Sequence, residues 1–73
     1  MTWEAVDEIL DKAWETDSQA FIYLKGKDSH FSICPSNHEW KIYSNLGLLC
    51  VHVLGLDDEY YIDVDKIVYI HIT

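Results

Sequence analysis

The sequence predicts an α+β domain in which an N-terminal amphipathic helix precedes a small antiparallel barrel of about five or six short strands. Apolar residues recur at helical spacing over about residues 2–15 and then alternate, as in strands, over about residues 19–73. Turn-forming residues interrupt the second part at short intervals. With 73 residues, the chain has room for one domain, which we expect to span 1–73.

The first predicted element is the helix. Thr2 is suited to cap its first turn, and Glu4 suits the positive end of the helix dipole. Residues 16–18, Thr-Asp-Ser, are predicted to end it. Two faces follow from the three- and four-residue spacing. The apolar face consists of Trp3, Val6, Leu10, Ala13 and Trp14, and the acidic face of Glu4, Asp7, Glu8, Asp11 and Glu15.

Six short segments after the helix have the composition and alternation of strands. We predict them at residues 19–25, 29–34, 38–43, 48–54, 60–62 and 67–72. The fourth is apolar on both faces except for His52, so we expect it to be the most buried strand. Residues 63–66 suit a single helical turn. Closure into a barrel would remove the exposed edges of these strands.

The chain is strongly acidic, with 13 Asp and Glu residues, five Lys and no Arg, and a net charge of −8. Such a charge repels phosphate and anionic lipid and attracts basic surfaces. Arg is the preferred residue for paired contacts with phosphate and guanine, so its absence argues against duplex DNA as a partner. A membrane surface is not expected as a partner either.

The acidic residues are concentrated at the two ends of the chain. Residues 1–17 carry a net charge of −5, residues 18–56 a net charge of +1, and residues 57–73 a net charge of −4. Chain termini often lie close together in a folded domain. If the two ends meet, they form one negative surface.

The sequence indicates a cytoplasmic protein with reduced thiols. Its first residues lack the basic start and apolar run of a signal peptide, and no apolar run reaches membrane-spanning length. Reduced cysteines are the rule in the cytosol. We therefore expect Cys34 and Cys50 to be small core side chains rather than a disulfide.

A zinc site and a catalytic site are alternatives that the sequence raises without favouring. Cys34, His38, Cys50 and His52 offer two thiols and two imidazoles, a chemically reasonable zinc set. Their spacing matches no standard zinc finger, so no metal or cofactor is predicted. Neither Cys is followed by a nucleophile elbow or a glycine-rich anion loop, so we predict no catalytic residues and no enzymatic activity.

The C-terminal stretch Tyr60–Ile70 resembles the ending of SH3-type and Sm-like barrels. There, a strand leads into one helical turn, and an Ile-x-x-Ile strand then pairs back onto the barrel. A helix before the barrel also fits the Sm-like order. The resemblance implies a homo-oligomer that binds RNA. Independently, aromatic side chains beside lysines in the middle strands suit the stacking of bases of a nucleotide or short RNA. The residues available for this are Tyr23, Lys25, Lys27, Trp40, Lys41 and Tyr43.

The charge pattern favours a different function, that of a small non-enzymatic protein that docks on a basic surface of a protein partner. Its carboxylates would then occupy positions where nucleic-acid phosphates bind. In size and charge the chain is similar to the small acidic inhibitors that phages use against bacterial defence enzymes. The partner-binding residues predicted on this basis are Glu4, Asp7, Glu8, Asp11, Asp57, Asp58, Glu59, Asp63 and Asp65.

Overall fold

A computed structural model describes residues 1–73 and confirms the α+β class. One helix, α1 (Trp3–Glu15), precedes six strands, and a 3₁₀ turn (Val64–Lys66) separates the last two. No helix has the length and apolar character needed to cross a membrane. The strands are β1 (Ala20–Leu24), β2 (His30–Ile33), β3 (His38–Tyr43), β4 (Leu48–Val53), β5 (Glu59–Asp63) and β6 (Ile67–Ile72).

Helix α1 begins and ends at the residues that the sequence indicates. The Thr2 hydroxyl accepts a hydrogen bond from the Ala5 amide at 3.2 Å, which satisfies one of the free N–H groups of the first turn. At the other end, the Thr16 hydroxyl donates to the Lys12 carbonyl at 2.9 Å. Asp17 follows in a left-handed conformation with φ 51°, which turns the chain away from the helix axis.

The buried face of α1 is narrower than its sequence pattern suggests. Val6, Leu10 and Ala13 are buried, whereas Trp14 is 55 % exposed. Trp3, which also belongs to the apolar face of the sequence pattern, is 39 % exposed. Trp14 lies at the margin of the helix contact, where its indole packs edge-to-face on Trp40 of β3 with the ring centroids 5.7 Å apart.

The strands form two separate antiparallel sheets of three strands each. We call the β2-β1-β6 sheet sheet I and the β3-β4-β5 sheet sheet II. The predicted closed barrel is wrong, because the two sheets are not hydrogen-bonded into one ring. The chain passes between the sheets at two breaks in strand pairing. One contains Pro35, which has no amide hydrogen to offer a ladder, and the other is the 3₁₀ turn.

One hydrophobic core joins the helix to both sheets. Its buried residues come from α1, from β1 and β2 of sheet I, from β4 and β5 of sheet II, and from the segment that starts β6. Strand β4 lies in the middle of sheet II, and its Leu49 and Val51 are fully buried, as the two-sided apolar pattern predicts. Phe31 and Tyr60 add a contact between the sheets, with ring centroids 5.0 Å apart.

Replacement of Leu10 by Ala tests whether this shared core holds the fold. The side chain is completely buried in the cluster that joins α1 to the two sheets, so its truncation leaves a cavity. We expect the free energy of unfolding, measured with urea, to fall by about 2–5 kcal/mol. The matched control is Leu46→Ala, in a turn where the side chain is 63 % exposed, with an expected change within about 0.5 kcal/mol. Equal effects of the two substitutions would contradict this assignment of the core.

Candidate functional site

A groove of about 340 Å³ lies between α1 and the edge strand β3. Its helix side carries two carboxylates, and its strand side carries a third carboxylate and a lysine. The indoles of Trp14 and Trp40 contribute its aromatic wall. The lining residues are Asp7, Asp11, Trp14, Glu39, Trp40, Lys41 and Ile42.

The local periodicity of each element explains why these side chains meet. Asp7 and Asp11 are four residues apart in α1, so they lie one above the other on the same helix face. In β3 successive side chains point to opposite faces of sheet II. Trp40 packs against the core, and Glu39 therefore lies on the outer face. Because α1 packs beside β3, the acidic face of the helix borders this outer face.

A second groove of about 420 Å³ crosses the outer face of sheet II. The strand register explains its composition, because Glu39 pairs with His52 of β4, and His52 pairs with Glu59 of β5. Two residues along the strands, and therefore on the same face, Lys41 pairs with Cys50 in the same way. The lining residues are Glu39, Trp40, Lys41, Tyr43, Cys50, His52 and Glu59.

The two grooves are adjacent and share Glu39, Trp40 and Lys41. Carboxylates of α1 are therefore connected to Glu59 across one continuous surface, and Asp57 and Asp58 directly precede Glu59 in an exposed turn. The remaining helix carboxylates line a shallow depression of about 590 Å³ together with Asp7 and Asp11. We call this set the acidic surface: Glu4, Asp7, Glu8, Asp11, Glu15, Glu39, Asp57, Asp58 and Glu59.

Asp63, which the sequence places in the binding set together with Asp65, has a local structural role. The Asp63 carboxylate accepts a hydrogen bond from the Asp65 amide at 3.0 Å and so caps the 3₁₀ turn.

The Met1 amino group donates to the Ile67 carbonyl at 3.4 Å. This contact brings the start of the chain to the end of the same turn, so the two acidic ends of the sequence approach each other there.

Glu59, Tyr61 and Cys50 form a hydrogen-bonded cluster on the outer face of sheet II. Tyr61 donates to the Glu59 carboxylate at 2.9 Å, and the Cys50 thiol donates to the same oxygen at 3.5 Å. The bond from Tyr61, and then that from Cys50, lowers the pKa of Glu59. In return, the bond to the Glu59 carboxylate and its negative charge raise the pKa of Tyr61 to about 12.

The chemistry of Cys50 differs from that of an activated nucleophile. Burial, followed by its hydrogen bond to Glu59, raises the pKa of the thiol. A nucleophilic cysteine needs the opposite environment, in which nearby positive charge favours the thiolate. The cluster therefore stabilises a carboxylate and keeps the thiol protonated at neutral pH.

The residues of the alternative zinc set lie in two places. Cys34 and His38 flank the turn between β2 and β3, where the Cys34 amide donates to His38 Nδ1 at 3.0 Å. Cys50 and His52 lie on the outer face of sheet II. No three His, Cys, Asp or Glu side chains are grouped in a way that could hold a metal ion.

The residues of the nucleotide-binding alternative are divided between the two sheets. Tyr23 lies on sheet I, where it stacks on Tyr69 with the ring centroids 4.3 Å apart. Lys25 and Lys27 are in the turn after β1. The other three, Trp40, Lys41 and Tyr43, belong to β3 of sheet II. The structure therefore does not bring the six residues together in one binding site.

Glu39 and Trp14 are two site residues that the sequence did not identify. Glu39 is an isolated acid in a nearly neutral segment, so the charge distribution gave no reason to choose it. The signal that could have found it is the alternation within β3, which places Glu39 and Lys41 opposite the apolar Trp40 and Ile42.

No family model, curated protein or solved structure matches the chain.

Removal of the Glu59 carboxylate should restore an ordinary pKa to Tyr61. In the wild-type protein we expect one tyrosine to ionise near pH 12, because its O–H donates to Glu59. In Glu59→Gln the same tyrosine should titrate near its ordinary value of 10.0. The phenolate absorbance of each protein, minus that of its Tyr61→Phe counterpart, measures this titration.

The same bond links pH to stability. The folded-state pKa of Tyr61 is raised, so the contribution of its hydrogen bond to folding stability is complete below about pH 10 and is lost as the pH rises through about 12. The folded-state pKa of Glu59 is lowered. The Glu59 carboxylate therefore contributes to folding stability above its ordinary pKa, and this contribution is lost as the pH falls through the lowered pKa. Identical tyrosine titrations with and without Glu59 would show that the bond is absent in solution.

Proposed function

We propose that the chain is a non-enzymatic binding protein that docks through its acidic surface on a basic surface of a protein partner. The observation that carries the proposal is the adjacency of the two grooves, which share Glu39 and Lys41. Through it, carboxylates from α1 and from the start of β5 contribute to one surface. A partner could therefore contact both acidic ends of the sequence at once.

The charge of the molecule supports this function in both rate and specificity. A net charge of −8 on a chain of 73 residues produces a field that attracts basic surfaces over a distance. Such steering speeds association and makes it sensitive to salt. It also disfavours phosphates, nucleic acids and anionic lipids as direct ligands.

The groove beside α1 supplies features that suit an arginine side chain of the partner. Trp14 is 55 % exposed, and a guanidinium group stacks favourably on an indole face. Asp7, Asp11 and Glu39 line the same groove and offer carboxylates as hydrogen-bond acceptors. Exposed tryptophans are also frequent among the residues that dominate binding energy in interfaces.

The chemistry of the site supports binding rather than catalysis. The Cys50 thiol, which is the buried thiol in this region, has a raised pKa and is hydrogen-bonded to a carboxylate. Both grooves are shallow and open, and they are lined mostly by charged and aromatic side chains. Such surfaces suit the contact of another protein better than the enclosure of a small substrate.

The finer assignment concerns the class of partner and the kind of fold. We propose a cytoplasmic inhibitor of phage or mobile-element type, which covers the nucleic-acid groove of a host defence enzyme. The carboxylates of the acidic surface would take the positions of phosphates. The order helix, strands, 3₁₀ turn and last strand also supports an SH3- or Sm-like relationship, although the two sheets remain open.

A short oligoarginine peptide tests the acidic surface directly by titration calorimetry. In Asp7→Asn/Glu39→Gln two carboxylates of the shared groove are lost. We expect the affinity to fall roughly two- to thirtyfold, since each exposed charge pair contributes about 0.2–1 kcal/mol and 1.4 kcal/mol is tenfold. The affinity of the wild-type protein should also decrease with added salt.

The control for this experiment is Asp17→Asn/Asp28→Asn. It changes the net charge by the same amount but at residues outside the acidic surface. At Asp17 an Asn also tolerates the left-handed backbone conformation. If both double variants lose the same affinity, the peptide responds only to net charge and the proposed surface is wrong.

The class of partner is tested with a protein captured from the source cells by the tagged wild-type chain. We expect heparin, a polyanion, to displace the chain from this partner, because both occupy the same basic groove. The Asp7→Asn/Glu39→Gln variant should retain less of the partner than the control variant does. A partner that binds heparin and the chain simultaneously would contradict the phosphate-mimic proposal but would leave docking on another basic surface open.

A further inference from the structure

Sheet I differs from the rest of the molecule in its complete lack of charged side chains. None of the residues of β1, β2 and β6 is Asp, Glu, Lys or Arg, although a quarter of the chain consists of these types. The inner face of the sheet belongs to the core, through residues such as Ile22 and Ile33. The outer face carries Phe21, Tyr23, His30, Ser32, Tyr69 and His71.

Aromatic contacts connect the three strands across this outer face. Phe21 packs edge-to-face on His30 of β2, with ring centroids 4.8 Å apart. Tyr23 stacks on Tyr69 of β6 at 4.3 Å with an interplanar angle of 15°. These contacts fix the rings in an ordered arrangement within one chain. Rings held in this way lose little further conformational entropy when another surface covers them.

Strand β6 contributes the most exposed apolar side chains of this region. The register between β1 and β6 shifts next to Leu24, and Val68 has no direct partner on β1. Val68 is 56 % exposed, and the neighbouring Tyr69 is 51 % exposed. An uncharged sheet with exposed apolar residues is a surface that soluble monomers usually avoid.

We propose that the outer face of sheet I is the contact surface for a second copy of this chain, in a symmetric and reversible dimer. Two outer faces would pack against each other around a two-fold axis. Phe21, Tyr23, Val68 and Tyr69 would be covered by the same residues of the other copy. This surface is independent of the acidic surface on α1 and sheet II.

The distribution of charge over the molecule favours a second copy of the chain as the partner for the outer face of sheet I. Two molecules of net charge −8 repel each other, and a symmetric contact centred on the acidic surface would bring carboxylates of the two copies together. The outer face of sheet I has no carboxylate, so a symmetric contact through it keeps the acidic residues of both copies in solvent. A strongly basic partner, in contrast, would find no opposite charge on this face and would choose the acidic surface.

The dimensions of the face indicate a weak dimer. Three strands span about 14 Å across and the six residues of β6 extend about 20 Å, so the face covers about 280 Å². This area is well below the roughly 800 Å² per partner of a standard interface. Interfaces of this small class dissociate readily. The dimer should therefore form only at high protein concentration.

Sedimentation velocity over a wide range of protein concentrations tests the proposal. We expect a shift from monomer to dimer as concentration increases. Added salt should strengthen the dimer, because it screens the repulsion between the two acidic molecules. Salt weakens docking on a basic partner, so the two surfaces have opposite salt dependence. Failure of one proposal therefore does not imply failure of the other.

The variant Val68→Lys places a positive charge on each face of the symmetric contact. We expect the dimer dissociation constant to rise at least about tenfold, since charge on a sheet edge or face opposes association. Leu46→Lys is the matched control, because it makes the same change of charge at a turn residue that is 63 % exposed and outside sheet I. This control should dimerise as well as the wild-type protein.

Concentration-dependent changes in amide chemical shifts provide a second measurement that does not depend on a variant. The changes should be confined to β1, β2 and β6. A protein that stays monomeric at millimolar concentration and high salt would overturn the proposal. So would chemical-shift changes confined to α1 and β3, or equal dissociation constants for Val68→Lys and Leu46→Lys.

Discussion

The packing of α1 against both sheets is the interaction on which the rest of the structure depends. Each sheet has only three strands, and a sheet of that size needs a second element to cover its apolar face. Val6, Leu10 and Ala13 supply this cover, since they belong to the same buried cluster as residues from both sheets. Because the sheets do not close on each other, the helix completes a core that neither sheet could form alone.

The position of the helix also determines the electrostatics. An amphipathic helix that buries one stripe must expose the opposite one, and in α1 the exposed stripe is acidic. The contact with the edge strand β3 sets this stripe beside Glu39. In the strand register of sheet II, Glu39 pairs with His52 and His52 pairs with Glu59, so these side chains form a line across the sheet. Core packing and strand register therefore assemble the acidic surface from residues that are distant in sequence.

Features set by local sequence could be predicted, whereas those set by the pairing of distant segments could not. The Thr2 cap, the bounds of β3 and β6 and the turn before β6 depend on neighbouring residues, and the structure confirms them. Barrel closure depends on whether distant edge strands pair, which alternation does not encode. The exposure of Trp14 and the role of Glu39 depend on where α1 meets β3. Helical periodicity places Trp14 on the apolar face without showing that it is exposed, and the charge distribution gives no reason to choose Glu39.

The arrangement of the two sheets allows both proposed surfaces to act together. Their inner faces contribute to one core, so their outer faces point away from each other. A dimer formed through sheet I would leave the acidic surface of each copy on the outside. Two such surfaces in one assembly favour a partner with repeated or two-fold related basic sites, because the second contact becomes intramolecular. A weak dimer would then strengthen on the partner, where binding brings two copies together.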